Sequence, residues 1–452
     1  MKKTSVTSLA AVLALTGSVL AACGASDSNN AASGSSVEPS NATSSPSAPA
    51  PATSSASSGG AKTKVSFWYS LGGKNAEYIE EMIGKFNAAH DDIEVVGTHQ
   101  GNYAETVTKL QQGIPSGTAP DVSMLERAYV ELFADSEVLE DLEPYLQASG
   151  MAQGDFSEGL MGHSTFGGKL VALPFNRSTP ILHVNKTLLD EAGLQIPTTW
   201  EEMRKTAETL VSQENGEIVR YGLSMPYDTW YPIALISQAG GRFFTEDNAS
   251  VDFVDNGVGA KAFGFLTDMQ KTGALFYPPA QDSGNIVNQM FTSGKVAMMF
   301  QSTGSIGGLA SSVDFDYATA FLPKDEKYAT PTGGGNIVML SGSKQKEAAW
   351  EFLRWIMTED DGALKFITQS GYLPFTTKMA ESAAIQELWA REPNRKVAFD
   401  QLRYAEDTNK DVAWPEVMDE FFSAIEAIMY DGKDIQSTLG TFKKSAERIL
   451  GQ

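Results

Sequence analysis

Val65-Ser66-Phe67-Trp68-Tyr69, broken by Gly72 and Gly73, is followed by Ile79, Met82, Ile83 and Phe86 and then by Ile93-Glu94-Val95-Val96. The first run reads as a strand, rich in aromatic and β-branched residues. The apolar residues that follow recur at i, i+3, i+4 and i+7, the stripe of an amphipathic helix. The last run alternates as a second strand. Strand, helix and strand in this order predict a βαβ unit and a parallel, helix-covered sheet. Working outward, Asp121-Val122-Ser123-Met124-Leu125 is a third strand, entered from the turn Gly117-Thr118-Ala119-Pro120. Leu170-Val171-Ala172-Leu173 is a fourth, ended by Pro174.

The pattern then restarts. Pro180-Ile181-Leu182-His183-Val184 reads as a strand, and Thr199-Trp200-Glu201-Glu202 as a capping box opening a helix with Met203, Ala207, Leu210 and Val211 on one face. Val296-Ala297-Met298-Met299-Phe300 follows the turn Ser293-Gly294-Lys295 as a buried strand. Helical stripes appear at Ala349, Phe352, Leu353 and Ile356, and at Phe421, Ala424, Ile425 and Ile428. No repeat period is present. Two α/β lobes, with the chain crossing between them more than once, are expected.

At 452 residues and 42% hydrophobic, the chain can bury two such cores. Its formal net charge of −22 disfavours nucleic acid and anionic membrane surfaces as partners. The one cysteine, Cys23, excludes intrachain disulfides. It ends Leu20-Ala21-Ala22-Cys23, after Lys2, Lys3 and an apolar run from Val6 to Leu20. A positive start, an apolar middle and a small-residue cleavage site form the layout of a signal peptide over residues 1–22. A cysteine at this place resembles a bacterial lipobox, in which two or more acyl chains give stable anchoring. From residue 24 to about 62 the chain is Ser, Ala, Pro, Gly, Asn and Thr, a composition that buries nothing and acts as a flexible tether. No later apolar run is long enough to span a membrane. The expected location is therefore extracytoplasmic, anchored to the cell membrane through the lipid.

Catalytic signatures are missing. His90, His99, His163 and His183 show no metal-ligand spacing, and neither a nucleophile elbow nor a phosphate-binding loop occurs. Gly333-Gly334-Gly335 reads as a hinge or tight turn. Glu80-Glu81 and Asp91-Asp92 read as solvated surface. Trp68, Tyr69, Trp230 and Tyr231 read as core before pocket. No metal, cofactor or reaction is expected, and among so many carboxylates nothing singles out a glycosidase pair.

Taken together, the segments resemble the substrate-binding lipoproteins of ABC importers, the family that includes maltose-type binding proteins. The likeness is carried by Phe67-Trp68-Tyr69-Ser70, Ala119-Pro120-Asp121-Val122, Asn185-Lys186 with Ala192-Gly193-Leu194, Gly294-Lys295-Val296-Ala297-Met298 and Gly371-Tyr372-Leu373-Pro374. Gly101-Asn102-Tyr103, Pro174-Phe175-Asn176-Arg177-Ser178-Thr179-Pro180, Ser302-Thr303-Gly304-Ser305 and Ser370-Gly371-Tyr372-Leu373-Pro374-Phe375-Thr376 are similar to one branch, the glycerol-3-phosphate binders of Ugp-type importers. The resemblance implies a two-lobe α/β fold of the periplasmic-binding-protein type II kind. Ligand would bind in the cleft between lobes joined by three crossing segments, near 174–180, 299–303 and 333–337.

The resemblance puts ligand contacts on Tyr103, Glu126, Ser178, Trp230, Ser302, Gly334, Tyr372 and Arg403, with Tyr227 as a further aromatic wall where the branch carries Trp. Ser178, Ser302, Tyr372, the Gly334 amide and Arg403 would donate to phosphate oxygens. Glu126 would accept from hydroxyls, and Trp230 and Tyr227 would cover the carbon skeleton. Taken singly, Ser178 and Ser302 also suit caps, Tyr372 a core, and Arg403 a surface ion pair. The resemblance further implies residues 63–175 with 301–333 as one lobe and 176–300 with 334–452 as the other. The expected protein is a monomer that captures glycerol-3-phosphate or a glycerophosphodiester for an ABC permease. An oligosaccharide binder is the alternative, favoured if aromatic platforms dominate the pocket and Arg403 points elsewhere. A lipid-anchored glycoside hydrolase is the second.

Overall fold

The computed structural model describes residues 61–406 and 411–451. The signal segment, Cys23 and the linker up to residue 60 lie outside them. Regular structure begins with the strand Thr63–Tyr69. The helix Gly73–Ala89 buries Ile79, Met82, Ile83 and Phe86, the stripe read from the sequence. Its backbone turns extended at His90, and Asp91 and Asp92 carry the chain to Ile93–His99, which pairs parallel with the first strand.

Two sheets organise the described residues. The first runs in the order Ile93–His99, Thr63–Tyr69, Val122–Glu126, Gly333–Met339, Leu173–Ser178. Its early strands are parallel, while Gly333–Met339 is antiparallel to both neighbours. The second runs Leu275–Phe276, Glu217–Ser224, Val296–Ser302, Pro180–Asn185, Tyr317–Ala320, with Ser212–Glu214 paired beside it. Both sheets are thus mixed rather than wholly parallel. A strand arriving from the opposite lobe, as Gly333–Met339 and Pro180–Asn185 do, enters its sheet from the other end and must run against its neighbours.

Each sheet has its own core. Around the first pack Phe67, Phe86, Phe352, Phe366 and Trp389. Around the second pack Trp200, Phe243, Phe253, Phe263, Phe421 and Phe442. This corrects the expected lobe boundaries. Tyr317–Ala320 pairs in the second sheet, not with the first lobe. Residues 334–398 belong with the first sheet and its core, through Gly333–Met339 and the helices carrying Trp350, Phe352, Ile385 and Trp389. The helices Trp414–Met429 and Ile435–Leu450 return to the second core.

The crossings shift accordingly. The first, between Ser178 and Pro180, lies inside the expected 174–180. After Val296–Ser302 the chain touches the first core at Ile306 but comes back to Tyr317–Ala320, so 299–303 is an excursion. Another crossing spans 321–332, ahead of the glycine run, and a third leaves the helix Pro393–Gln401 for Trp414. Gln401 ties the crossings together, its Nε2 donating to the Pro180 carbonyl at 2.8 Å and its Oε1 accepting from the Leu322 amide at 2.8 Å.

Three local expectations change. Pro174 does not end a strand; it lies within Leu173–Ser178, an edge strand, opposite Asn336 where the register shifts, the kind of place where proline is tolerated in a sheet. Thr199 caps the helix Trp200–Leu210 by accepting from the Glu202 amide, but Glu202 reaches back to Thr198, so the box is not reciprocal. Gly333-Gly334-Gly335 opens a strand instead of forming a free turn. Among the described residues, no helix is long and apolar enough to cross a membrane.

Candidate functional site

The strand ends that face the gap between the sheets line a cavity of about 480 Å³. From the first lobe, Val122–Glu126 delivers Glu126, whose Oε2 accepts from the Ala128 amide at 2.9 Å and starts the tight turn Arg127–Tyr129. Tyr103 is the first residue of the helix Tyr103–Ser116. Asn102 and Glu105 cap each other's amides there, and Gly117 closes the far end in the left-handed region. The Tyr103 hydroxyl accepts from Asn176 Nδ2 at 2.5 Å. Ser178 ends its strand at the first crossing, buried. Tyr372 stacks on Phe366 with ring centroids 5.5 Å apart.

The glycine run brings the walls close. Gly334 has φ +79°, and a Cβ there would lie 2.0 Å from the Asn176 carbonyl oxygen. A Cβ on Gly333 would lie 2.4 Å from the Trp230 ring. Glycine is required at both places, for backbone conformation at one and contact at the other.

From the second lobe come Tyr227, Asp228 and Trp230, the last opening the helix Trp230–Gln238. Asp228 accepts from the Trp230 amide at 2.9 Å, and Trp230 Nε1 donates to the Thr332 carbonyl at 3.2 Å. Tyr227 donates to Glu426 at 3.0 Å and lies 5.2 Å from the Phe422 ring. Ser302 caps the turn Thr303–Ser305, accepting from the Gly304 amide at 3.2 Å. Trp414, Met418 and Phe422 add a wall from one face of the helix Trp414–Met429.

The cavity thus gathers Tyr103, Glu126, Ser178, Tyr227, Trp230, Ser302, Gly334 and Tyr372. It does not gather Arg403. That side chain is 59% exposed, its Nε donates to the Asp400 carbonyl at 2.7 Å, and its guanidinium stands over the Tyr404 ring. Three-residue spacing on the turn following Pro393–Gln401 pairs it with its own helix end, the surface ion pair its residue type also suits. Arg403→Ala is therefore expected to leave ligand affinity unchanged, whereas a tenfold loss by titration would restore it to the site.

Sequence reasoning missed Arg127, Asp228, Trp414, Met418 and Phe422. Asp228 lies between two positions it named. The 414, 418, 422 spacing was available, but it runs beside the core stripe of the same helix and shares its period.

Burial in the cleft pushes the Glu126 carboxyl above its ordinary range, opposed by Arg127 and the Ala128 amide. Burial does the same to Asp228, opposed by the Trp230 amide and Arg127. In the unfolded chain both release their protons at lower pH. Between the ordinary and raised values the folded state holds more protons, so stability falls as pH rises through that window. Glu126→Gln removes this penalty while leaving an acceptor for Ala128. It is expected to raise the melting temperature at about pH 7 and to match wild type below about pH 4. A neutral-pH melting temperature at or below wild type would contradict this.

Two α/β lobes around an aromatic cavity with a few fixed polar groups define a binding protein. The chain belongs to the bacterial extracellular solute-binding protein family, whose model it matches over residues 81–393. It is 25% identical over 365 residues to the sn-glycerol-3-phosphate-binding periplasmic protein UgpB of Yersinia enterocolitica, covering 76% of this chain and 81% of that protein. Its fold matches UgpB from Mycobacterium tuberculosis in complex with glycerophosphocholine, with a TM-score of 0.78 and 25% identity over 86% of this chain and 99% of that one. It also matches the substrate-binding protein Lmo0181 of Listeria monocytogenes in complex with cycloalternan, with a TM-score of 0.77 and 22% identity over 86% and 99%.

Proposed function

We propose that the protein captures glycerol-3-phosphate or a glycerophosphodiester between its lobes and delivers it to an ABC permease, without turning it over. The observation that carries this reading is the convergence of Tyr103, Glu126, Ser178, Trp230, Ser302, Gly334 and Tyr372, from both lobes, on one cavity sized for a small ligand. The relatives named above support it. Hydroxyls of Ser178, Ser302 and Tyr372 and the Gly334 amide donate to phosphate oxygens, Glu126 accepts from glycerol hydroxyls, and Trp230 and Tyr227 cover the carbons. Ligand that touches both lobes stabilises the closed arrangement, which the permease reads. The protein acts as a monomer tethered outside the membrane by lipid on Cys23.

One observation favours an oligosaccharide instead. With Arg403 outside the cavity, Tyr227, Trp230, Trp414 and Phe422 make its lining an aromatic platform. Glu126 and Asp228, two carboxylates in one cleft, also keep the hydrolase reading testable; both are already engaged by backbone amides.

Thermal shift separates these readings. Bound ligand a hundredfold above its dissociation constant adds about 2.7 kcal/mol to stability. Glycerol-3-phosphate or glycerophosphocholine is expected to raise the melting temperature and maltose is not, with no release from an aryl glycoside. A shift with maltose alone overturns the phosphate reading, and hydrolysis overturns the receptor. For the tether, Cys23→Ser is expected to move the protein out of the membrane fraction with the ligand response intact; unchanged membrane association would refute the anchor.

A further inference from the structure

With Arg403 on the surface, Arg127 is the lysine-or-arginine cation lining the cavity among the described residues. Its side chain is not loose. Arg127 Nη1 lies 3.1 Å from His163 Nε2, and His163 Nδ1 lies 3.0 and 3.2 Å from the two Glu131 oxygens. Arg127, His163 and Glu131 are 5%, 2% and 3% exposed. A guanidinium can only donate, so Nε2 accepts and the imidazole proton sits on Nδ1, donating to Glu131. The result is a buried carboxylate–imidazole–guanidinium chain that fixes one tautomer and one orientation.

Both ends of this chain are anchored. Glu131 is carried by the short helix Val130–Asp135, directly after the turn that holds Arg127. The His163 carbonyl accepts from Asn336 Nδ2 at 3.0 Å, on the strand that runs up to the cavity. On the cleft side, Arg127 Nε stands 3.9 Å from Glu126 Oε1, and Arg127 acts electrostatically on Asp228 of the other lobe. Glu131 compensates the guanidinium from behind, through an uncharged ring, where solvent is excluded. Glu126, 3.9 Å away and beyond hydrogen-bond reach, shares the guanidinium on the cleft side, so a group arriving there meets a cation held in one place where solvent is scarce and its field is strong.

We propose that Arg127 is the ligand-facing cation of this cleft, with Glu131 and His163 as its positioning residues. The proposal rests on the phosphate reading above: Arg127 is the group that meets the phosphate, in the place first assigned to Arg403.

The test combines a ligand-free and a ligand-dependent readout on the full chain. In the first, the Arg127 Nε–H resonance, assigned through Arg127→Lys, is expected to exchange slowly with solvent in wild type and at least tenfold faster in His163→Leu. In the second, His163→Leu and Glu131→Gln are expected to weaken glycerol-3-phosphate binding about 10- to 100-fold by calorimetry, and His163→Gln to recover part of the loss. His163→Leu strands a buried carboxylate, so the double variant Glu131→Gln/His163→Leu serves if the single one fails to fold. An unmoved Arg127 resonance overturns the positioning role. Folded variants with wild-type affinity overturn the ligand-facing role. If wild type binds maltose and no phosphate ester, the phosphate reading fails, and the resonance experiment still decides the chain of hydrogen bonds by itself.

Discussion

Trp230→Ala is expected to weaken every ligand of the cleft by about a hundredfold. Trp230 is one of the cavity's two indoles, with Trp414, and it bridges the lobes: it opens a helix of the second and donates to the Thr332 carbonyl at the end of a crossing segment. Truncating such a central aromatic costs roughly 2–4 kcal/mol, and every 1.4 kcal/mol is tenfold. The core of the second lobe keeps its other members, so circular dichroism should remain that of wild type. Gly333→Ala offers an independent check. Its new methyl would lie 2.4 Å from the ring, so Trp230 must move, and affinity should fall in the same direction. Wild-type affinity in either folded variant would remove the ring from the site.

Arg177→Leu is expected to cost about 3–5 kcal/mol of stability. Arg177 is fully buried. Its Nε donates to the Gly333 carbonyl at 3.1 Å, Nη1 to the Leu160 carbonyl at 2.7 Å and Asn336 Oδ1 at 3.0 Å, and Nη2 to Thr332 Oγ1 at 2.7 Å. One side chain thus joins the first crossing, the end of the second and the loop before His163. Leucine fills much of the volume but leaves these acceptors without a donor, at roughly 1–3 kcal/mol for each that stays buried. Denaturant melts should show the midpoint falling with little change in slope. A loss under 1 kcal/mol would mean that water or neighbours satisfy those groups.

The first βαβ unit was legible because its elements are short, amphipathic and punctuated by glycine. The helix Gly73–Ala89 buries the four residues its period names. The positions of Tyr103, Ser178, Ser302 and Tyr372 were also legible, since short distinctive motifs mark them, whereas Glu126 and Gly334 came only from the resemblance. The lobe boundaries were not. Gly333–Met339 looks like any buried strand, and nothing in its residues says which sheet it joins; that is decided by pairing with Val122–Glu126, more than two hundred positions away. Arg403 misled for a similar reason. A cation in the turn after a short helix suits a cleft or a surface equally well, and Asp400 three residues earlier settles it locally. On Trp414–Met429, Phe421 faces the core while its neighbour Phe422 faces the cavity, a difference of one position that periodicity alone does not resolve.

The central claim is that the cavity between the lobes takes a glycerol phosphate. Calorimetric titration of the wild-type protein with glycerol-3-phosphate, glycerophosphocholine and maltose, side by side in one buffer, tests it most directly. Saturable one-to-one binding of at least one of the two phosphate esters, lost in Trp230→Ala and retained in Arg403→Ala, is the predicted result. Tight binding of maltose with no heat from either phosphate ester would contradict it.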